Sequence, residues 1–371
     1  MKNIAGSVVY GPNFLNRGPF LKRLEEELES EVGALILSPR RAGKTSAIHE
    51  FGRKQSEAGW RCIYFSVAGL EDELAVDAEL RRQLKQVAEK PLRRKLEKID
   101  ETDDWSTAGR ATIETLLSDN KPTLICIDEL AVFVLDLLKR DVPRAARFLQ
   151  WLRDLRQLPG TQKVRWIIAG SIGLDTLAEQ FGLSETINDI DHLKLGPFSV
   201  ESAYRMLDEL SHQYSYGWEE GAQQVFLQKI GWLIPYHIQM LFKEIRYAET
   251  IEKGQAIGAA DIDLAFDAML GPERKKQFET WVQRLTKELG QDCGRTGIEI
   301  LNTIARIGGC APEALHRIYA KHMPRDDNPT IDCKTLLRIL VNDGYLMEEA
   351  GQYVFLSPVL RAFWQRHEAN K

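Results

Sequence analysis

In the stretch SPRRAGKTS, residues 38–46, a glycine, a lysine and a hydroxyl residue follow one another at Gly43, Lys44 and Thr45. Together these types suit a polyanion: glycine lets the main chain approach it, lysine neutralises it, and the hydroxyl can reach a cation bound to it. The pattern G-x-x-x-x-G-K-[ST] is met at all three positions, with Ser38 standing where its first glycine belongs. Further along, the apolar run TLICI, residues 123–127, ends in Asp128 and Glu129. One carboxylate at such a strand end suits the hydration shell of Mg²⁺ opposite Thr45, and the other suits a general base that orients and deprotonates water. Lys44 would then neutralise the β and γ groups of a nucleotide. A chance G-K-T in a loop and an ordinary acidic strand-end turn are the alternatives. Both motifs in this order favour the chemistry.

The surrounding elements must place these groups. Residues 34–38 read as a short buried strand, residues 39–42 break it, and residues 44–55 read as a helix. Strand, loop and helix in that order aim main-chain N–H groups and a helix N-terminus at an anion, which makes Ser38, Pro39, Arg40, Arg41, Ala42, Gly43, Lys44, Thr45 and Ser46 the candidate phosphate-binding residues. RCIYFSV (61–67) supplies an intervening strand. VRWIIAG (164–170) supplies another and ends in Ser171, which would be either a polar sensor of phosphate and water or a plain loop serine; HLKL (192–195) completes five. Their alternation with helices predicts an α/β protein built on a five-stranded parallel sheet with helices on both faces. Residues 71–121 form a charged helical insert broken by Pro91, read as a solvated face or, less simply, a docking surface.

After residue 291 the grammar changes. RTGIEILNTIARIG, APEALHRIYAKHM and IDCKTLLRILVNDG read as three helices, YLMEE and QYVFL as a hairpin, and SPVLRAFWQRHE as a last helix, the pattern of a winged helix. Its third helix would offer Lys334, Thr335 and Arg338 to double-stranded DNA. From residue 292 onward acidic and basic residues are equal in number, and the wing carries Glu348 and Glu349. A groove binder wants a basic face, so packing or protein docking stands beside the DNA reading.

With 371 residues, 44% hydrophobic and 28% charged, the chain can bury real cores in two or three domains. A net charge of −5 argues against a surface built throughout to coat nucleic acid or an anionic membrane. Five widely spaced cysteines without a C-x-x-C pair read as reduced core residues. No signal-peptide core or membrane-length apolar run is seen, and the expectation is a cytoplasmic protein without a membrane partner.

These motifs resemble the P-loop ATPases of the archaeal-type and STAND group, relatives of AAA+ and origin-recognition ATPases. SPRRAGKTS is similar to the family's G-P-R-R-x-G-K-T-S, ICIDEL to its Walker B strand, and IIAGS to its third strand with sensor. YGPNFLNRGPFLKRLEEEL is similar to its N-terminal segment, in which an aromatic and an arginine, here Phe14 and Arg17, border the adenine. GWLIPYHIQMLFKEI is similar to a lid helix whose proline, here Pro235, lies against the nucleotide. The resemblance implies ATP or ADP with Mg²⁺, a core over 1–197, a helical lid over 198–290 and a winged helix over 291–371. Ring motors of this kind often carry a trans-acting arginine between the segments that here end at Gly170 and begin at His192, where this sequence has neither Arg nor Lys. Slow hydrolysis and a nucleotide-gated switch follow, with Arg153, Arg156 and Arg165 as substitutes for the missing charge. A non-catalytic, nucleotide-stabilised adaptor for a protein partner is the other reading, and an oligomer is left open.

Overall fold

An unbroken apolar run such as TLICI suits a strand covered on both faces, and in the computed structural model it is an interior strand of a five-stranded sheet, buried at every residue. The structure describes residues 1–15, 17–99, 104–170, 173–249, 251–252, 254–323 and 331–369. The chain divides into a sheet unit, Arg17–Ser38 with Lys44–Leu195, and a helical unit, Met1–Asn16 and Pro39–Gly43 with Gly196–Lys371.

The sheet unit runs α1 (Gly18–Ser30), β1 (Gly33–Leu37), α2 (Lys44–Glu57), β2 (Arg61–Ser66), α3 (Glu73–Val87), α4 (Lys90–Ile99), α5 (Trp105–Leu117), β3 (Thr123–Asp128), α6 (Leu130–Arg140), α7 (Val142–Arg156), β4 (Val164–Gly170), α8 (Leu174–Gln180) and β5 (Asp191–Lys194). The strand order is β2-β3-β4-β1-β5, with every neighbouring pair parallel. Register does the positioning. β4 lies between β1 and β3, Ala169 pairs with both Ile36 and Asp128, and Gly170 pairs with Leu37, so the two motif-bearing strands end level. α2 buries Ala47, Ile48 and Phe51 along one face, which fixes the rotation of the helix that Lys44 opens. The charged insert is more than a solvated face. Asp72 and Asp104 cap α3 and α5 by accepting from Ala75 and Thr107 N–H at 2.9 Å each, and Leu80, Leu84, Leu92, Leu96, Ile113 and Leu116 are buried.

The helical unit runs α9 (Val200–Tyr214), β6 (Gly217–Trp218), α10 (Ala222–Ile230), α11 (Pro235–Tyr247), β7 (Ala256–Ile257), α12 (Ala259–Met269), α13 (Lys275–Leu289), α14 (Gln291–Ile307), α15 (Pro312–His322), α16 (Cys333–Asn342), β8 (Leu346–Glu349), β9 (Gln352–Phe355) and α17 (Pro358–His367). β8 and β9 pair antiparallel, so three helices, a hairpin and a last helix follow the order read from the sequence. Two boundaries differ from that reading. The first residues belong to this unit, because the Asn3 side-chain amide donates to Gln239 O at 2.9 Å, Ile4 N–H donates to Gln239 Oε1 at 3.0 Å, and Arg246 Nη1 donates to Asn3 Oδ1 at 3.1 Å. Residues 198–290 and 291–371 also share one core: Phe278 stacks on Phe363 at 4.8 Å, and the Tyr345 hydroxyl donates to Trp281 O at 2.7 Å. Among the described residues no helix is long and apolar enough to cross a membrane.

A Cβ added at Gly344 (φ +85°) would lie 2.8 Å from Pro39 Cβ and 2.9 Å from the Trp232 ring, whereas at Gly351 (φ +75°) it would meet nothing within 4 Å. Gly344→Ala is expected to cost about 3 kcal/mol and Gly351→Ala only about 1 kcal/mol of left-handed strain. Their urea midpoints, measured side by side, check this. His237 is wholly buried in α11, and burial, aided by the Arg41 charge, lowers its ionisation to about 3. The unfolded chain binds the proton that the folded chain refuses. Stability from this residue is therefore complete above pH ~6.5 and drains toward pH 3 at about 1.4 kcal/mol per unit. Stability measured from pH 6 to 4 should fall less steeply in His237→Gln.

Candidate functional site

In the sheet unit a helix N-terminus meets a strand end. Lys44 Nζ lies 2.7 Å from Asp128 Oδ1 and 3.5 Å from Glu129 Oε1. Thr45 Oγ1 donates to Asp128 Oδ2 at 3.2 Å, the Tyr64 hydroxyl donates to the same oxygen at 2.8 Å, and Glu129 N–H donates to Oδ1 at 2.9 Å. Burial alone would raise the Asp128 carboxyl. The Lys44 charge and these hydrogen bonds outweigh it and hold the group below the usual carboxylate range. Burial, then the Asp128 charge, pushes the Tyr64 phenol upward, so it stays a donor. The ring of His49, on α2, sits 4.4 Å from that of Tyr64; its own half-burial lowers its ionisation against the pull of Asp128.

Glu129 heads α6 in a left-handed conformation, φ 60° and ψ 30°. For a residue with a side chain this costs about 1–2 kcal/mol, and such strain gathers where a group must be aimed. The Thr45 hydroxyl and the Asp128 carboxylate are hard oxygen donors of the kind Mg²⁺ takes. Among the described residues no group of three or more His, Cys, Asp and Glu could hold a metal ion.

The rest of the candidate loop behaves differently from its sequence reading. Ser38 is buried, and its hydroxyl donates to Leu195 O at 3.1 Å within the sheet unit. Left-handed backbone occurs in the loop at Arg41 (φ 64°) and Gly43 (φ 98°) and not at Ser38. Pro39–Gly43 is part of the helical unit. There Arg41 Nη1 donates to Gly6 O at 3.3 Å with its guanidinium 4.6 Å from the Tyr236 ring. Arg40 lies 5.8 Å from the Trp281 ring, its N–H donates to Asp343 O at 3.2 Å, and burial followed by Arg284 lowers its ionisation. The two arginine side chains thus pack within the helical unit. Ala42 is fully buried, its N–H donating to Pro39 O at 3.3 Å. Pro235 opens α11, and a Cβ on Gly43 would stand 4.0 Å from its Cγ.

Of the remaining expected residues, Ser46 lies half-buried in the first turn of α2. Phe14 is half-buried in the helical unit, while Arg17 belongs to the sheet unit, where burial lowers its ionisation to about 10. Ser171 lies outside the described residues. Arg156 is withdrawn from the candidate counter-charges: it is buried and grips Asp189 at 2.7 and 2.9 Å and Thr186 O at 2.7 Å. Thr335 is withdrawn from the DNA-facing set, because it is buried in the first turn of α16 with its N–H on the Asp332 cap at 2.7 Å; Lys334 is exposed and Arg338 half-buried.

Sequence reasoning missed Tyr64 and His49. A signal existed: Tyr64 pairs with Cys126 and Ser66 with Asp128, so alternation along β2 puts Tyr64 and Ser66 on the face that carries Asp128.

Asp128→Ala would strip the partner from a buried ammonium and three further donors, at a cost of about 3–5 kcal/mol. Lys44→Met leaves Asp128 three donors and is expected to cost about 1–2 kcal/mol. Urea unfolding of the two variants tests that asymmetry.

No protein-family model matches the sequence, and no curated protein is significantly similar to it. Among solved structures, a Walker-type ATPase of Pyrococcus abyssi aligns over 97% of this chain and 99% of its own, with a TM-score of 0.68 at 15% identity. The ORC2 protein of Aeropyrum pernix in its ADP form aligns over 98% and 97%, with a TM-score of 0.50 at 14% identity. Likeness at such identities is likeness of fold. The chain has the α/β P-loop fold with a mostly helical C-terminal half, shared with these proteins over nearly its whole length.

Proposed function

We propose that the protein binds ATP with Mg²⁺, hydrolyses it slowly, and uses the nucleotide state as a switch. The observation that carries this reading is the convergence of Lys44, Thr45, Asp128 and Glu129 at strand ends that β4 makes level. Lys44 would exchange its carboxylate partners for the β and γ phosphates. Thr45 and Asp128 would hold Mg²⁺, which supplies charge neutralisation across the phosphate oxygens. Glu129 would orient water and accept its proton. Phe14, Arg17 and Pro235 are assigned to the nucleoside by resemblance alone, with 198–290 as lid and 291–371 as winged helix.

Slow turnover follows from charge. No Arg or Lys lies between Gly170 and His192, Arg156 is committed to Asp189, and an arginine finger is worth 10³–10⁵ in rate. Switching draws on the loop, since Pro39–Gly43 packs within the helical unit against Asp343, Gly344 and Tyr236. A protein partner is favoured over duplex DNA because α16 buries Thr335 and Leu337. Five free cysteines, four of them buried, fit a reducing cytoplasmic setting.

The experiment is nucleotide binding and steady-state ATP hydrolysis with Mg²⁺, with and without duplex DNA. Lys44→Ala is expected to abolish binding, and Glu129→Gln to keep binding while lowering turnover at least about 100-fold. Full turnover in Glu129→Gln would remove Glu129 from the base role. No binding by the wild type would sink the whole reading.

A further inference from the structure

We infer that Tyr64 is the positioning residue of the Asp128 carboxylate: its hydroxyl stays on Oδ2 when nucleotide draws Lys44 and Thr45 away, and it thereby sets how tightly the site holds its divalent cation. This rests on the nucleotide reading above and adds a residue that neither motif contains. Four donors address Asp128, with Lys44 and the Glu129 N–H on Oδ1, and Thr45 and Tyr64 on Oδ2. An ionised carboxylate offers about four lone-pair positions, so these donors fill it.

The donors differ in what else they could do. Lys44 and Thr45 are the two groups that phosphate and Mg²⁺ would recruit. Tyr64 and the Glu129 N–H have no such call on them, and they hold one oxygen each. Once the other two leave, the carboxylate would still be pinned at both ends, with lone pairs free on each oxygen to help hold the cation. Without Tyr64, Oδ2 would be held by nothing at that moment.

Tyr64 is also well braced for the task. Its strand is locked to β3 by the pairing of Tyr64 with Cys126 and Ser66 with Asp128. Its ring lies against His49, one turn beyond Thr45 on α2, so the helix that carries the mobile donors also supports the fixed one. A phenol at 2.8 Å from an ionised acceptor makes a charge-assisted bond, stronger than a neutral one. The plain alternative is a part-buried tyrosine whose hydroxyl merely needs a partner.

Tyr64→Phe keeps the ring and removes only the hydroxyl. Binding of a fluorescent ATP analogue would be measured in EDTA and then against rising Mg²⁺ and Mn²⁺, in wild type and variant. The expected result is affinity in EDTA within about twofold of wild type, and a metal midpoint raised about tenfold for both cations. In hydrolysis the same shift should appear in the metal requirement, with turnover at saturating metal changed far less. His49→Ala, which weakens the brace but keeps the hydroxyl, should move the midpoint in the same direction by less. An unchanged midpoint in Tyr64→Phe, alongside normal binding, would overturn the assignment and leave the nucleotide reading intact. A wild type that binds no nucleotide with or without metal would overturn both.

Discussion

The Lys44–Asp128 pair, 2.7 Å apart with side chains 8% and 4% exposed, is the constraint around which the sheet unit is arranged. Neither charge could be buried with no partner at all, since an ion left without counter-charge or hydrogen bonds in such a place costs several kcal/mol. Their mutual attraction offsets this only with good geometry, and the geometry is set from outside the pair. β4 levels the strand ends, α2 begins at the lysine itself, and Tyr64, Thr45 and the Glu129 N–H fill the remaining positions on the carboxylate. An ammonium is a compact charge with three rotatable donors, and it already divides itself between Asp128 and Glu129. Such a group can pass to phosphate oxygens without leaving its neighbourhood.

The loop between β1 and α2 has a second allegiance. Its flanks belong to the sheet unit, yet Pro39–Gly43 packs in the helical unit, with Arg40 N–H on Asp343 O and Pro39 pressed against Gly344. The loop's neighbours there are Asp343 and Gly344, just past α16, and Tyr236 of α11. Turning a two-state balance from 1:99 to 99:1 takes about 5.5 kcal/mol of differential binding. At roughly 1 kcal/mol net per neutral hydrogen bond and more for charged ones, a handful of contacts made in one state only would suffice. The close approach of Pro39 to Gly344 leaves little free space beside the loop on that side.

What was legible in the sequence was local. Apolar runs gave the strands, and the Gly43-Lys44-Thr45 and Asp128-Glu129 clusters gave the charged centre, because each is written in adjacent residues and the fold only has to bring their ends level. The roles of Arg40 and Arg41 were not legible: their partners Trp281, Asp343, Gly6 and Tyr236 lie far along the chain. Thr335 failed for a related reason, since which face of α16 is buried depends on packing that the helix's own sequence does not state. Tyr64 was readable in principle from strand alternation, but only after the neighbour of β2 and its register were known. That the first residues join the helical unit was not legible because the contacts are isolated ones, made by Asn3, Ile4 and Gly6, which leave no periodic trace.

At Ser38 the sequence pattern breaks at a position where this backbone does not call for glycine. Glycine is required where the backbone is left-handed or where a close neighbour forbids a Cβ. Here the left-handed positions are Arg41 and Gly43, so a serine at 38 meets no conformational penalty of that kind and adds a buried bond to Leu195 O. The departure that matters is elsewhere. Lys44 is the cation at the centre of the cluster, and Arg156, in the same unit, is held by Asp189 and Thr186. If Glu129 aims water as proposed, a cluster whose cation is Lys44 would offer modest charge to a developing transition state, which underlies the slow turnover proposed. In the proposed reading that balance favours a long-lived nucleotide complex, with any faster turnover depending on a cation from outside the cluster.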